Sequence, residues 1–389
     1  MQKPAALGNR LYYMRIWLTV AENTAGYCFI VVVVNVIRAI FADRMIPIGK
    51  LILPEFPLLL APMEDVSDPP FRGICKTYGA DLTYTEFISS ESLVKGAIRS
   101  RRKLDIFERE RPVGIQLYGG DEDSLSLAAA IVEATNPDLL DINFGCPVKG
   151  IVGRGAGAGV LKDPDRMIRL TEACVRATRL PVTVKTRLGW DDGSRNIVEM
   201  AERLQDAGIQ ALTIHGRTRC QLYKGEADWE LIGKVKDNPR MHIPIFGNGD
   251  IDSPQKALAY RNRYGVDGIM IGRAAIGYPW IFREIKHYIH TGEQLAAPTA
   301  EERVSVCLQH LAGALAWNGP VQGLNEMRGR YARYLKGLPG IGVYLCRLVR
   351  LADAGAVEAT LAEIARAYEG FEAEAAPIEL VNYHTHCAL

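Results

Sequence analysis

The chain has 389 residues, 48% of them hydrophobic and 23% charged, with a formal net charge of +1. This is ordinary globular composition, long enough for one large domain and a smaller one. It excludes a uniformly basic nucleic-acid binder, so any RNA contact has to come from locally clustered cations.

Residues 1–44 stand apart. Tyr27–Val34 (YCFIVVVV) is apolar, but Asn35 interrupts it and Arg38 follows soon after. A membrane span needs about 18 apolar residues, and no A-x-A cleavage site follows as a signal peptide requires. The segment reads as a disordered or spurious extension ahead of a natural start at Met45, and no membrane attachment is expected. Ile46–Leu53 and Phe56–Leu60 are then expected to form a hairpin leading into the first strand.

Eight short apolar runs follow: Leu58–Met63, Leu82–Phe87, Pro112–Gly119, Leu139–Pro147, Pro181–Gly189, Ala211–Thr218, Ile243–Ile251 and Gly268–Ala275. They start 24 to 42 residues apart, the length of a strand–loop–helix–loop unit. The segments between them carry helix signals. Ser124–Ala134 is rich in helix formers, Asp163-Pro164 supplies a cap and a first-turn proline for Pro164–Ala177, and Gly208 stops Asn196–Ala207. Together they predict an α/β fold, a TIM (β/α)8 barrel over residues 45–291, with a flavodoxin-like open sheet as the competing arrangement.

After residue 290 the composition changes. Gly292–Thr299 reads as a linker, and helices are predicted over Ala300–Trp317, Leu324–Leu335, Ile341–Ala352 and Ala356–Ala373. This predicts an all-α helical-bundle domain over 295–375 and a tail over 376–389. The tail's His384-Thr-His-Cys387 has metal-like residue types, but a chain end is the simpler reading. The eight cysteines form no CxxC pair, so neither a zinc site nor a disulfide framework is expected, and a reducing cytoplasm fits.

In a (β/α)8 barrel the chemistry sits at the C-terminal ends of the strands. Those ends carry Cys146, Lys185, His215, Asn248 and Arg273. Cys146 lies in Asn143-Phe-Gly-Cys-Pro147, ahead of the glycine-rich Val148–Val160 loop, which can let backbone approach a substrate closely. Gly153–Ala158 also matches GxGxxA, but no acidic residue stands about 20 positions on, as a dinucleotide fingerprint requires. Lys185 interrupts an apolar strand, where a charge is expensive unless paired. His215 repeats the arrangement one strand later. Packing cysteine, solvated lysine and core histidine are the plain alternatives. Gly247-Asn-Gly-Asp250 and Gly272-Arg-Ala-Ala275 end the last two strands, where such barrels commonly bind phosphate.

These residues resemble the tRNA-dihydrouridine synthase family. The resemblance spans roughly 54–350 and rests on Ala61-Pro-Met63 with Asp65 and Ser67-Asp68, Thr85-Glu86, Gln116-Leu-Tyr-Gly119 and Asn143-Phe-Gly-Cys-Pro147. It continues through Lys149–Pro164, Val184-Lys-Thr-Arg-Leu-Gly189, Ile214-His-Gly-Arg-Thr218, Gly247-Asn-Gly-Asp-Ile251 and Ile271-Gly-Arg-Ala274. Arg328–Gly340 is also similar but has Gly329-Arg330 where a Lys-His pair is common, a departure that bears on one RNA contact and not on the reaction.

A monomer without metal is expected, and the resemblance implies an enzyme that uses FMN, reduced by NADPH, to saturate the C5=C6 bond of D-loop uridines in tRNA. It implies Cys146 as the general acid to C5, a role suited to a thiol that is ordinarily protonated at neutral pH. It places Lys185 at the flavin N1/O2 edge, Gln116 on the pyrimidine edge, and Pro62 and Met63 against the ring. His215, Asn248, Gly249, Asp250, Gly272 and Arg273 would hold the ribityl phosphate and its surroundings. Asn143 would orient the uracil, with Glu86 and Arg187 as further substrate candidates. Arg99–Lys103 and the cations Arg328, Arg330, Arg333, Lys336, Arg347 and Arg350 are the candidate RNA patches, or solvated helix faces. Tyr331 and Tyr334 would stack on bases or simply pack. The rivals are an FMN barrel acting on a small pyrimidine and a non-catalytic RNA-binding protein that keeps FMN structurally.

Overall fold

The structure, a computed structural model, describes residues 45–371. The extension and the tail motif therefore lie outside the described residues. β1 (Ile46–Ile48) and β2 (Leu51–Leu53) pair antiparallel, Ile46 opposite Leu53. Their two-residue turn starts at Gly49, whose φ of 59° suits glycine. This corrects the expected hairpin: the turn falls inside Ile46–Leu53, and the chain after Phe56 goes directly into the barrel. Ile48 and Leu53 pack on Leu59, Leu82, Leu139 and Ala211, so the hairpin plugs the barrel end opposite the strand C-termini.

Every apolar run contains a strand. β3 (Leu58–Leu60), β4 (Thr83–Tyr84), β6 (Val113–Tyr118), β7 (Leu139–Asn143), β8 (Val182–Arg187), β9 (Ala211–His215), β10 (Ile245–Asn248) and β11 (Gly268–Ile271) lie in the order β3-β11-β10-β9-β8-β7-β6-β4. The short β5 (Ile88–Ser89) adds to β6. All of these pairings are parallel. β11 pairs with β3, and a Leu59–Leu82 bridge joins the first and second runs, which rules out an open sheet. The strand interiors are fully buried Leu, Ile and Val, as expected where helices cover a parallel sheet.

The surrounding helices are α1 (Pro69–Thr77), α2 (Ser90–Val94), α3 (Ile98–Arg102), α4 (Glu122–Ala134), α5 (Lys149–Val152), α6 (Pro164–Ala177), α7 (Ile197–Asp206), α8 (Glu230–Lys236), α9 (Pro254–Tyr264) and α10 (Trp280–Thr291). The Asp163 side chain accepts from the Arg166 N–H at the start of α6, so the predicted cap forms.

Three helices follow: α11 (Ala300–Tyr334), α12 (Gly342–Leu348) and α13 (Ala354–Ala367). The two helices predicted over 300–335 are present as two helical segments of α11 that meet at a break. Gly319 takes φ 76° and ψ 172° just before Pro320. Proline lacks the donor the helix ladder needs and clashes with the preceding turn, and glycine supplies the backbone torsion that lets the helix restart. A second hydrophobic cluster joins Cys307, Leu311, Met327, Tyr331 and Leu361 of this region to Ile74 of α1 and Trp280 of α10. Tyr331 and Tyr334 are buried in it, so they pack and are not available for base stacking. No helix among the described residues is long and apolar enough to cross a membrane.

Candidate active site

The strand C-termini open onto a cavity of about 1420 Å³, lined on its far side by α11. Of the residues singled out from sequence, Pro62, Met63, Glu86, Asn143, Cys146, Lys185, Arg187, His215, Asn248, Gly249, Asp250, Gly272 and Arg273 line it. Gln116 does not. It is fully buried beneath Asn143.

A polar chain inside the barrel holds Cys146 in place. Asn143 Oδ1 accepts from the N–H groups of Gly145 (2.9 Å) and Cys146 (2.8 Å), which folds the chain back at the end of β7. Asn143 Nδ2 donates to Gln116 Oε1 at 2.8 Å, and Gln116 Nε2 donates to Asp141 Oδ2 at 2.6 Å. Thr183 completes the chain on the other Asp141 oxygen. Burial pushes the Asp141 carboxyl up to about 6. Gln116 therefore braces Asn143 from inside the barrel. Asp141 escaped the sequence reading, although it precedes Asn143 by two positions in a strand and so shares its face.

The glycine loop forms the wall behind the cysteine. Ala158 N–H donates to the Cys146 carbonyl at 3.0 Å. A Cβ on Gly157 would lie 3.0 Å from that carbonyl oxygen, and its φ is 54°. The GxGxxA match runs from α5 into this loop and does not follow a strand, so it is not a dinucleotide turn.

The next wall is cationic. Register places Asn143 beside Lys185, and His215 between Arg187 and Asn248. Lys185 Nζ donates to Asn248 Oδ1 at 3.0 Å, and Asn248 Nδ2 to the Met270 carbonyl at 2.8 Å. Burial, then the neighbouring Arg187 charge, brings Lys185 down to about 8. Burial and the charges of Arg187, Lys185, Arg217 and Arg273 hold His215 well below its usual range, so it is a neutral hydrogen-bonding group. Arg187, lowered to about 10 chiefly by burial, donates to the carbonyls of Gly145, Thr218 and Leu222. That ties the cysteine turn to the loop after β9.

Asp250 sits at a positive φ of 56° and gathers two arginines. Arg217 binds both its oxygens, at 2.9 and 2.6 Å, and Arg273 binds Oδ1 at 2.9 Å. Burial would raise the carboxyl, but the Arg217 and Ala227 donors and the two guanidinium charges hold it below the usual range. Arg217 was missed from sequence, although it stands two residues after His215 in the same motif. Among the described residues, the carboxylates beside Lys185, Arg217 and Arg273 are Asp141 and Asp250. An excess of buried cations is costly without a counter-anion, and this end of the cavity fits one.

On the opposite rim, Glu86 Oε1 accepts from Asp65 N–H at 2.7 Å, and burial pushes its carboxyl up to about 7. Lys103 pairs with Glu64 and lies 3.8 Å from Glu86. Arg330 overturns the expectation of a solvated or RNA-contacting side chain. It is buried, 3.1 Å from Asp68 Oδ2, with donors to the Asp65 and Val66 carbonyls. A second bridge crosses nearby: the Arg102 guanidinium covers the Trp317 ring at 4.7 Å, and Trp317 Nε1 donates to Asp105 at 2.9 Å. Arg102 and Lys103 of the predicted basic patch make protein contacts, and Arg99, Arg101 and Arg102 are all exposed.

Residues 59–368 match the family described as dihydrouridine synthase. The chain is 41% identical over 312 residues to tRNA-dihydrouridine synthase B of Pseudomonas aeruginosa, covering 80% of this chain and 93% of that one. Against the Pseudomonas putida protein of the same name it is 42% identical over 297 residues, covering 76% and 87%. The probable tRNA-dihydrouridine synthase of Rickettsia conorii is 37% identical over 320 residues, covering 82% and 96%.

Proposed function

Because the chain belongs to the dihydrouridine synthase family, we propose that it reduces the C5=C6 bond of selected tRNA uridines to dihydrouridine, with FMN as cofactor and NADPH as reductant. The observation that carries this reading is Cys146 at the mouth of the barrel, on the same cavity as Lys185, Arg187 and Arg273. FMN, when bound, supplies the hydride for C6 of the uracil. Arg273, with Arg217 and Asp250 behind it, suits the phosphate, and Asn248 and neutral His215 offer hydrogen bonds beside it. Lys185 places a positive charge where an anionic ring needs one. Pro62 and Met63 supply an apolar wall.

Cys146 holds the proton that C5 takes. Its turn is fixed by Asn143, and through Gln116 and Asp141 that turn is fixed to the barrel interior, so the thiol is preorganised for proton transfer. Asn143 still lines the cavity and suits the uracil edge. Arg187 acts by positioning, since its donors hold backbone carbonyls. The target base has to leave its stack to reach Cys146, and the cleft between the strand ends and α11 is the way in. In this reading the barrel carries the reaction and α11–α13 carry the tRNA.

The test is a single turnover of purified, NADPH-reduced protein with undermodified tRNA, with dihydrouridine mapped by position. The expected result is dihydrouridine at a D-loop site and flavin reoxidised in step. Reduced flavin that persists with tRNA but reoxidises with a free pyrimidine would instead establish the small-molecule reading.

A further inference from the structure

Beyond its kink, α11 turns a polar face to the cavity. Gln322, Asn325, Glu326 and Gly329 line it at helical spacing, with Asn318 just before the kink. Glu326 sets the direction of two of the amides. Its Oε2 accepts from Asn318 Nδ2 and its Oε1 from Gln322 Nε2 at 3.3 Å. An amide whose NH2 group is held by a carboxylate turns its carbonyl oxygen the other way. Asn325 adds an exposed amide next to them. The outcome is an acceptor-bearing patch around one carboxylate, with Arg330 and Arg333 lining the cavity further along the helix. Such a patch suits hydrogen-bond donors better than phosphate oxygens, which need cations or N–H groups.

We propose that this face of α11 reads the donor-bearing edges of the nucleotides beside the target uridine: exocyclic amino groups, ring N–H groups and ribose 2′-hydroxyls. The inference rests on the tRNA reading above. A uridine drawn into the barrel mouth brings its neighbours into the cleft between the strand ends and α11. In a single-stranded loop those neighbours offer their base edges and 2′-hydroxyls to side chains. Glu326 is a positioning residue: it orients the amides that make the contacts.

The experiment uses the full chain and undermodified tRNA, in wild-type sequence and with the nucleotide on either side of the target changed or made 2′-deoxy. Binding is measured across a salt series, and dihydrouridine formation in single turnovers. Gln322 and Asn325 are exposed, so Gln322→Ala and Asn325→Ala should fold normally, which the thermal unfolding midpoint checks. Each should weaken tRNA binding roughly 3- to 10-fold, the worth of one hydrogen bond. The slope of log affinity against log salt should not change, because no phosphate contact is lost. Preference among the flanking nucleotides should shrink in both, and also in Glu326→Gln, which frees the two amides to reorient. Variants that rank the altered tRNAs as the wild type does, or that lose affinity through a shallower salt slope, overturn the proposal. If the wild type itself neither binds tRNA nor forms dihydrouridine, the underlying tRNA reading falls instead.

Discussion

Arg330 offers a quantitative test of how the helical region is held on the barrel. Its guanidinium lies 3.1 Å from Asp68 Oδ2 and covers the Phe71 ring at 5.8 Å, and Asp68 also caps α1 through the Phe71 N–H. Burial alone would raise the Asp68 carboxyl, but Arg330 and His310 hold it at about 2 against an ordinary 3.8. A depression of that size corresponds to about 2 kcal/mol of stability. The sign is that of a lowered acid: the contribution is complete above the unfolded pKa and is lost as pH falls from about 4 toward 2. Arg330→Met keeps much of the volume but leaves a buried carboxylate short of its partner, at a cost of about 3 kcal/mol. Asp68→Asn keeps the cap and removes only the charge. Urea unfolding at pH 7 of the wild type, both single variants and the double variant should give a coupling of about 2 kcal/mol. The acid limb attributable to Asp68 should be missing from Asp68→Asn and reduced or reversed in Arg330→Met, where burial is no longer offset by the arginine. If the two substitutions add within about 0.5 kcal/mol, the pair does not couple and this account of the junction is wrong.

Cys146→Ala should lower dihydrouridine formation by about 10²–10⁴-fold, the range for a lost general acid; rapid-quench measurement showing wild-type rates would refute the assignment. Lys185, at about 8, carries its charge below that pH and loses it above, so FMN affinity should fall between pH 7 and 9. Fluorescence titration should show that limb in the wild type and not in Lys185→Met, and an unchanged limb in the variant would exclude Lys185 as its source. Gly247→Ala would put a Cβ 1.9 Å from Cζ3 of Trp229, whose Nε1 donates to the Gly249 carbonyl at 3.0 Å. Overpacking of this kind costs about 1–3 kcal/mol or more, so both the unfolding midpoint and the FMN content of the purified protein should fall. A variant matching the wild type in both would show that the indole moves freely.

The barrel was legible because its determinants are local and repeated. Each buried strand had to be a short apolar run, and each covering helix had to fit between two of them. Strand-end position then singled out Cys146, Lys185, His215, Asn248 and Arg273, because polar groups interrupting such runs need a reason. Asp141 and Arg217 were in plain view in the same motifs, but their importance comes from partners far along the chain: Gln116 and Thr183 for one, Asp250 for the other. Gln116 lies in the same way at an inward strand position, and its full burial depends on the side chains stacked above it.

The C-terminal region shows the limit most clearly. Helical periodicity located the two segments of α11, and the structure places the break between them at Gly319. A run of arginines and tyrosines there is compatible with an RNA surface or with a core, because composition carries no address. Packing decided the matter: Tyr331 and Tyr334 went into the second core, Arg330 into a buried ion pair 262 positions away in sequence, and Gln322, Asn325 and Glu326 onto the cavity. The sequence by itself determined the strands, the helices and the reactive types at the strand ends, since these follow from periods of two and 3.6 residues. Only the tertiary structure decided which charges are paired and which face the cavity, because an ion pair's worth depends on the distance and burial of a partner that no local pattern names.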